Sequence, residues 1–238
     1  MMPEEKNVQA PKSTKGLKAN LPPKVKHHAP VVVGGYKIVS AEFVKGATSI
    51  KHLPEERLPQ IAFLGRSNVG KSSLMNALMG RKDLVKVGRT PGKTRELNFF
   101  KVNDRFFLVD LPGVGFAKVS NSKRDQMSDF IRDYVEKCQD LKGLVYLVDV
   151  RHGGHAIDIE TVENIRASGC PVLVVASKRD KANQSELAKG LRSIRENFGL
   201  DQNPLSVSSF KKLGLEQLWQ NILEALELSG QENGKNGQ

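Results

Sequence analysis

Cysteine and long hydrophobic runs are the first things that this sequence lacks. Its 238 residues include two cysteines, Cys138 and Cys170, with no C-x-x-C pair and no metal-type spacing. A disulfide framework and a thiolate metal centre are therefore excluded, and both residues are interpreted as reduced core thiols of a cytoplasmic protein. The longest apolar runs, "LVYLV" and "VLVVA", are far too short to span a membrane, and the N-terminus lacks the apolar core of a signal peptide. No membrane partner is therefore expected.

Acidic residues are also few relative to basic ones. The sequence has 37 lysines and arginines against 26 aspartates and glutamates, which gives a formal charge of +11. This balance favours an anionic partner such as nucleic acid. Residues 1–30, rich in lysine, proline and alanine, predict a flexible basic arm, either a solubilising extension or an RNA-binding segment. Residues 229–238 predict a disordered tail, which leaves residues 31–228 as the folded domain.

Between these tails, apolar strands alternate with amphipathic helices. The runs "QIAFL", "GLVYLVD" and "VLVVAS" are typical of parallel strands buried on both faces, and "PLSV" predicts a shorter last strand. The segments "LNFFKV" and "RFFLVD", joined by Asn103 and Asp104, predict a β-hairpin. Residues 122–136 and 215–226 each place apolar side chains along one helical stripe. The pattern predicts an α/β three-layer domain with a mostly parallel sheet, one antiparallel hairpin strand and helices on both faces.

The strongest motif is "GRSNVGKS", which matches G-x-x-x-x-G-K-[ST] between a predicted strand and a predicted helix. Its glycines let the backbone wrap phosphates, and successive N–H groups at the helix N-terminus bind the negative charge. Lys71 is predicted to reach the β- and γ-phosphates, and the Ser72 hydroxyl to bind Mg²⁺. The predicted phosphate-binding residues are Gly65, Arg66, Ser67, Asn68, Val69, Gly70, Lys71 and Ser72.

A second motif predicts recognition of guanine. "SKRD" ends a buried strand and has the form of the [N/T]-K-x-D motif, with serine in the first position. The Asp180 carboxylate can accept hydrogen bonds from guanine N1–H and the 2-amino group, which adenine does not offer. Lys178 is expected to lay its stem along the base. The predicted base-binding residues are Ser177, Lys178, Arg179 and Asp180, with Val207, Ser208 and Ser209 as a loop that supports the base.

Two further segments are predicted to surround the γ-phosphate. Asp110 ends a strand and is expected to hold Mg²⁺ through water, while the Gly113 N–H senses the γ-phosphate. The loop "VGRTPGKTRE" supplies Thr94 as the second protein ligand of Mg²⁺, with Thr90 as the alternative. The residues assigned to GTP here are Gly92, Lys93, Thr94, Arg95, Glu96, Asp110, Leu111, Pro112 and Gly113.

Residues 58–226 resemble the bacterial EngB (YihA/YsxC) GTPases, a branch of the TrmE–Era–EngA-like P-loop GTPases. The resemblance is carried by "GRSNVGKSSLMNAL", "GRTPGKTRELNFF", "DLPGVGFAK" and "VDVRHG", in that order. It implies GTP binding and hydrolysis, dependence on Mg²⁺ and a role in assembling the large ribosomal subunit. It also implies a requirement in cell division and septation. A monomer is the expected oligomeric state.

Residue 114 raises a question about the chemistry. Ras-like switches place there a glutamine that orients the attacking water, whereas this chain has Val114, which cannot form such a hydrogen bond. The sequence also departs here from the EngB pattern G-Y-G-Y-A, because valine stands in place of the first tyrosine. In potassium-activated relatives, an asparagine at the position of Asn68 helps bind K⁺ beside the phosphates. Lys71, Asn68 and Thr94 are therefore the predicted catalytic residues, and Val114 is predicted only to pack; the alternative is that Asn68 hydrogen-bonds within its loop.

Basic residues crowd the loop after the first helix. They are Arg81, Lys82, Lys86, Arg89, Lys93, Arg95 and Lys101, opposed only by Asp83 and Glu96 along this stretch. A loop that orders around GTP would make this surface depend on the nucleotide, which favours gated binding of rRNA phosphates; a solvated basic rim is the alternative.

Two other function classes stay open at this stage. A P-loop kinase would need a lid and an acceptor pocket, and the sequence shows neither. A scaffold that binds GTP and RNA without hydrolysis is favoured by Val114 and opposed by Asn68 and the Mg²⁺ ligands.

Overall fold

The computed structural model of the chain describes residues 29–86, 96–114 and 121–228, and all structural statements concern these ranges. The strands are β1 Val31–Val33, β2 Tyr36–Ile38, β3 Ala41–Ala47, β4 Gln60–Gly65, β5 Leu97–Val102, β6 Phe106–Asp110, β7 Leu141–Asp149, β8 Val172–Ser177 and β9 Leu205–Ser206. The helices are α1 Lys71–Leu78, α2 Asn121–Lys137, α3 Ala156–Ala167, α4 Gln184–Asn197 and α5 Leu215–Ala225.

Seven strands form one sheet in the order β3-β5-β6-β4-β7-β8-β9. Five of them, from β6 to β9 across the sheet, run parallel, and β5 is antiparallel to both of its neighbours. The carboxyl ends of the parallel strands therefore meet along one edge of the sheet, where ligands of open α/β folds bind. The predicted fold class, a mostly parallel sheet with one antiparallel hairpin strand, is confirmed.

The predicted hairpin is β5–β6. Asn103 and Asp104 both have φ of 52°, the left-handed backbone that a two-residue hairpin turn requires and that asparagine and aspartate tolerate best. The Asn103 side chain also accepts hydrogen bonds from the N–H groups of Val39 (2.7 Å) and Ser40 (3.1 Å). The turn thus fixes the connection between β2 and β3 as well as its own hairpin.

The two faces of the sheet carry separate hydrophobic layers. Side chains of α1 and α5, including Leu74 and Trp219, pack on one face, and those of α2, α3 and α4, including Tyr134 and Ile194, pack on the other. The apolar stripes predicted for residues 122–136 and 215–226 lie in these layers. The arrangement confirms helices on both faces, since each amphipathic helix can bury its stripe only against the sheet.

Three N-terminal strands were not predicted. β1 and β2 form a separate antiparallel hairpin of three residues each, and β3 pairs antiparallel with β5 at the sheet edge, with a register shift between Phe43 and Lys45. Strands this short carry too little period-2 pattern to be recognised. The shift in β3 breaks the alternation that would otherwise identify it.

Lys101 corrects the predicted basic surface. The sequence groups it with basic residues that are opposed only by Asp83 and Glu96, yet its amine lies 3.1 Å from Asp104, 3.3 Å from Glu56 and 3.7 Å from Glu42. The hydrogen bond to Asp104 is the main cause that raises the pKa of Lys101. Two of these three carboxylates lie far from Lys101 in the sequence, so the neutralisation could be seen only in the folded chain.

Several predictions concern segments outside the described ranges. The tail of residues 229–238 and all of the arm except residues 29 and 30 lie there, so both stay predictions.

Cys138 and Cys170 are free thiols, and burial raises the pKa of both, that of Cys170 to about 11. In the part of the chain with a described structure, no helix is both long enough and apolar enough to cross a membrane.

Candidate nucleotide site at the carboxyl edge of the sheet

The phosphate-binding loop connects β4 to α1, as predicted. Gly65 ends β4 with φ of 150°, and a Cβ there would stand 2.7 Å from the Leu147 carbonyl oxygen, so only glycine fits. Gly70 has φ of 103° and directly precedes α1, whose first residue is Lys71. The loop therefore directs the N–H groups of the first helical turn toward the sheet edge, where an anion can accept from them.

Lys71 and Asp110 form an ion pair at the centre of this site. Their side chains are 11% and 12% exposed, and Asp110 is the last residue of β6. The sequence assigned Lys71 to the phosphates and Asp110 to Mg²⁺, and the fold brings the first residue of α1 into contact with the last residue of β6. A phosphate and a metal ion could both bind at this poorly hydrated ion pair. The Lys71 amine would then pair with the phosphate, and the Asp110 carboxylate would pair with the metal ion.

The donors at this point fit Mg²⁺. The Asp110 carboxylate and the Ser72 hydroxyl, on the first turn of α1, supply hard oxygen ligands on neighbouring elements. No group of three or more His, Cys, Asp or Glu side chains suited to a metal occurs among the residues described, and such a group is not needed by an ion that also binds phosphates and water. Thr94 lies outside the described residues.

The segment after Asp110 returns to the phosphate-binding loop. The Leu111 N–H donates to the Phe63 carbonyl (3.0 Å), and the Val114 N–H donates to the Gly65 carbonyl (3.1 Å). A Cβ at Gly113 would stand 3.1 Å from the Gly65 oxygen, so its backbone lies directly against the loop. Pro112 is buried between these contacts. The segment is thus placed where its N–H groups can meet a terminal phosphate.

Val114 itself packs, as predicted. Its partly buried side chain lies against the hydrophobic layer formed with α2, α3 and α4, and its backbone pairs with Arg66 as an isolated bridge. A side chain held in apolar contact offers nothing to an attacking water.

The predicted base-binding corner lies at the ends of β8 and β9. The Ser177 hydroxyl donates to the carbonyls of Val69 (2.7 Å) and Val148 (3.2 Å), which ties the end of β8 to the phosphate-binding loop. Serine in the first position of the motif therefore keeps the hydroxyl function expected of threonine. The Arg179 N–H donates to the Val207 carbonyl (3.1 Å) and holds the two predicted base-binding loops together.

Asp180 is oriented by the second of these loops. The buried Ser208 hydroxyl donates to Asp180 Oδ1 at 2.6 Å. The second carboxylate oxygen stays available to accept from guanine, and Ser209 follows directly in the chain. The sequence placed both residues at the base without predicting that one would hold the other.

Asp149 is a site residue that the sequence interpretation missed. It ends β7 and accepts from Arg151 Nε (2.9 Å) and Nη2 (2.7 Å), with Lys178 Nζ 3.0 Å away. Burial alone would raise the pKa of Asp149, but the hydrogen bonds from Arg151 and Lys178 outweigh it and hold that pKa well below its ordinary value. Its signal was the motif "VDVRHG", whose aspartate ends a buried strand as Asp110 does.

The contact with Asp149 orients the side chain of Lys178. This lysine has φ of 59°, a left-handed backbone that is uncommon for a side chain of its size. Its stem passes Gly70, since a Cβ at Gly70 would lie 3.9 Å from Lys178 Cε. The ion pair therefore holds the lysine stem alongside the phosphate-binding loop, at the position expected to cover the base.

Asn68 stands exposed on the same loop with φ of 64°, and its side chain forms no hydrogen bond to any residue that the structure describes. A cleft of about 360 Å³ opens beside it. The lining includes Arg66, Ser67, Asn68, Val69, Asp149, Arg151 and Lys178. His152 and His155 also line it, with ring centroids 6.0 Å apart.

The loop before β5 is described only from Glu96 onward. Gly92, Lys93, Thr94 and Arg95 lie outside the described residues, so their assignment to the nucleotide stays a prediction. The Glu96 carboxylate lies against Gly46 of β3. The contact of Glu96 with GTP likewise stays a prediction.

Comparison with known proteins agrees with this geometry. Residues 60–178, half of the chain, match the family model described as 50S ribosome-binding GTPase. The probable GTP-binding protein EngB of Lactobacillus gasseri is 44% identical over 77% of this chain and 96% of its own length. That of Solibacter usitatus is 43% identical over 79% and 97%.

A solved structure of a probable GTP-binding protein engB is 26% identical, with a TM-score of 0.60 over 71% of this chain and 98% of that one. Hydrolysis of GTP is the activity of this family. The two alternative functions, a P-loop kinase and a scaffold that does not hydrolyse GTP, are therefore excluded. The chain therefore belongs to the EngB family of GTP-binding proteins and is a GTPase.

Proposed function

We propose that this GTPase is a nucleotide-gated switch in the assembly of the large ribosomal subunit in the cytoplasm, and that cell division and septation depend on it. The description of its family as 50S ribosome-binding supports the partner. The formal charge of +11 suits a surface made of rRNA phosphates.

The observation that carries the proposal is that a candidate phosphate site and a candidate base site lie at the same edge of the sheet. The ion pair between Lys71 and Asp110 lies where phosphate and metal would bind, and Asp180, held by Ser208, lies where a base would be read. A ligand that satisfies both must carry a guanine and a chain of phosphates. Guanine presents N1–H and 2-amino donors to the carboxylate, whereas adenine would leave that carboxylate unpaired.

Ser72 and Asp110, with Thr94, would hold Mg²⁺, Asp110 through water. When bound, the ion neutralises charge that develops between the β- and γ-phosphates. Lys71 would release Asp110 and bind the same phosphate oxygens. Val114 orients no water, so Lys71, Thr94 and a K⁺ bound near Asn68 would stabilise the charge, and hydrolysis without a partner would be slow.

Gating is proposed to act through the segment after Asp110. Its contacts with the phosphate-binding loop run through Gly65, at Gly113 and Val114. A γ-phosphate placed between these backbones would add hydrogen bonds that GDP cannot supply. The conformation of residues that follow, and with it the ribosome-facing surface, would then depend on the nucleotide.

Co-sedimentation with purified ribosomal subunits tests the proposal. The full chain should pellet with large subunits in a non-hydrolysable GTP analogue, and less in GDP or without nucleotide. Small subunits are the matched control for a merely basic protein. Equal pelleting in all three nucleotide states, or with both subunits, would contradict a nucleotide-gated role.

A further inference from the structure

The loop of residues 208–214 carries a feature that guanine recognition does not use. Ser208 and Leu213 exchange backbone hydrogen bonds of 3.0 and 3.1 Å and close the loop at its base. The Lys211 N–H donates to Ser208 Oγ (3.0 Å), and this same hydroxyl donates to Asp180. The loop is therefore anchored on the guanine-reading carboxylate and has a defined shape.

Its tip displays an aromatic ring. Phe210 is 86% exposed, more than any other large apolar side chain in the described ranges. An exposed phenylalanine gains nothing from burial, and its ring presents a flat face on which another planar group can stack.

The ring is flanked by uncompensated positive charge. Lys211 and Lys212 are both exposed, and neither forms an ion pair with a residue that the structure describes. Arg179 and Lys181, on the loop joined through Val207, likewise have no such ion pair. The single carboxylate of the two loops, Asp180, is engaged by Ser208. The surface around the ring therefore attracts anions.

This combination fits unpaired RNA better than protein. A planar ring offers a stacking platform to a base of any identity, and cations beside it contact the flanking phosphates. Bases inside a duplex are already stacked and cannot reach the ring. An apolar protein surface would need a wider apolar patch than one ring surrounded by cations.

We propose that the loop of residues 208–214 is a binding site for single-stranded RNA, in which Phe210 stacks on an unpaired base and Lys211 and Lys212 contact phosphates. The inference rests on the proposed function, because it names the class of rRNA segment that the protein would hold. The site lies on the outer side of the loop whose inner side supports guanine.

Fluorescence anisotropy with the full chain and a labelled oligouridylate of about 12 nucleotides tests the site. Phe210→Ala should weaken binding about tenfold, the effect of losing one stacked base. Phe210→Trp should retain binding, and Phe210→Leu should behave like alanine, because it keeps apolar area without the ring face. A duplex of the same strand should bind with no dependence on residue 210.

The matched control is Phe43→Ala. Phe43 is 49% exposed on β3, at the opposite edge of the sheet, and its loss should leave RNA affinity unchanged. GDP affinity should stay within about twofold in Phe210→Ala, since Ser208 and Asp180 are untouched. Equal RNA affinity in wild type and Phe210→Ala, or wild-type affinity in Phe210→Leu, would overturn the proposal.

Co-sedimentation with large subunits in the GTP analogue separates this inference from the proposed function. If wild type pellets and Phe210→Ala pellets weakly, both the proposed function and the RNA-binding role of the loop are supported. Equal pelleting of the two overturns the role of the loop and leaves the proposed function standing. Weak pelleting with unchanged oligonucleotide affinity means that the ring contacts protein, and overturns RNA as its partner. Wild type that does not pellet overturns the proposed function, while the anisotropy result still decides the loop.

Discussion

At the scale of the residue, single carboxylates at strand ends organise the site. Asp110 and Asp149 are the last residues of β6 and β7, Asp180 lies shortly after β8, and each is bound by a side chain from another element. A buried carboxylate without such a partner would be costly, so each pair also defines where a cation or donor must lie. The three pairs lie at the proposed phosphate position, along the lysine stem and at the proposed base position respectively.

Asp180→Asn should change the preferred base. The asparagine amide presents a donor where guanine needs an acceptor, while xanthine offers a carbonyl to it. GTP affinity should fall by about 10²-fold or more, and XTP affinity should rise. Competition titrations with GTP, XTP and ATP measure this, with Asp201→Asn, on the exposed connection before β9, as the control. Unchanged preference for GTP would show that Asp180 does not read the base.

Asn68→Ala should remove a dependence on potassium. Single-turnover hydrolysis by wild type is expected to be faster in K⁺ than in Na⁺ at equal ionic strength, and the variant should show no difference while keeping its GDP affinity. One preorganised electrostatic element contributes about 10²-fold. Val114→Ala is the control and should stay within a few-fold. Identical wild-type rates in the two salts would refute the role of Asn68.

Asp149→Asn should act on both stability and nucleotide binding. Loss of the charge frees Lys178 and Arg151, which should lower the free energy of unfolding by about 1–3 kcal/mol and weaken GTP binding up to about tenfold. The control is Asp133→Asn, which removes an exposed ion pair with Lys137 on α2. Lost stability with unchanged GTP affinity would make Asp149 structural only.

The difference in stability between wild type and Asp149→Asn should depend on pH, because the pKa of Asp149 is lowered in the folded protein. Its stabilising contribution is complete above the ordinary value of 3.8 and is lost as the pH falls further toward the folded value. Urea unfolding should therefore separate wild type from Asp149→Asn at neutral pH, and the gap between them should narrow progressively below about pH 4.

At the scale of the element, the N-terminal hairpin is held by one close backbone contact. Gly34, between β1 and β2, has φ of 55°, and a Cβ there would stand 2.6 Å from the Glu216 nitrogen in α5. Tyr36 of the same hairpin stacks near Trp219, with ring centroids 4.8 Å apart. The hairpin therefore covers the helix that follows the base-supporting loop.

Gly34→Ala and Gly35→Ala form a matched pair for this contact. Both positions have positive φ, but a Cβ at Gly35 meets nothing within 4 Å. Both variants carry the backbone strain, so the difference between them isolates the clash with α5. Gly34→Ala should lower the free energy of unfolding by about 2 kcal/mol more than Gly35→Ala. Equal chemical denaturation midpoints would mean that the hairpin moves away without cost.

At the scale of the whole molecule, the distribution of charge decides how salt affects binding to the ribosome. Lys82 and Lys86 are exposed and form no ion pair within the described structure, whereas Lys101 is surrounded by three carboxylates. Only the first two are free to contact phosphates.

Replacing Lys82 and Lys86 with glutamine should therefore flatten the salt dependence of subunit binding, by about 0.7 in log–log slope for each phosphate that the variant no longer neutralises. Lys101→Gln, the control, should leave the slope unchanged. Titrations across several salt concentrations measure it. A slope that changes as much for Lys101 as for the exposed pair would contradict this assignment.

The sequence by itself determined the parts of this protein that depend only on residues close together in the chain. The phosphate-binding loop, the hairpin turn at Asn103, the buried parallel strands and the guanine motif each depend on neighbouring residues whose type fixes a backbone shape or a periodicity. The family follows from these motifs in their order.

Only the tertiary structure decided the pairings between distant elements. Asp149 holds Lys178, Ser208 holds Asp180, and Glu56 helps to neutralise Lys101, although 28 or more residues separate the members of each pair. Such contacts depend on which strand ends meet at one edge of the sheet, and no local pattern encodes that geometry. The exposure of Phe210 was hidden for the same reason, since a residue is buried or displayed by the packing of the whole chain rather than by its neighbours in sequence.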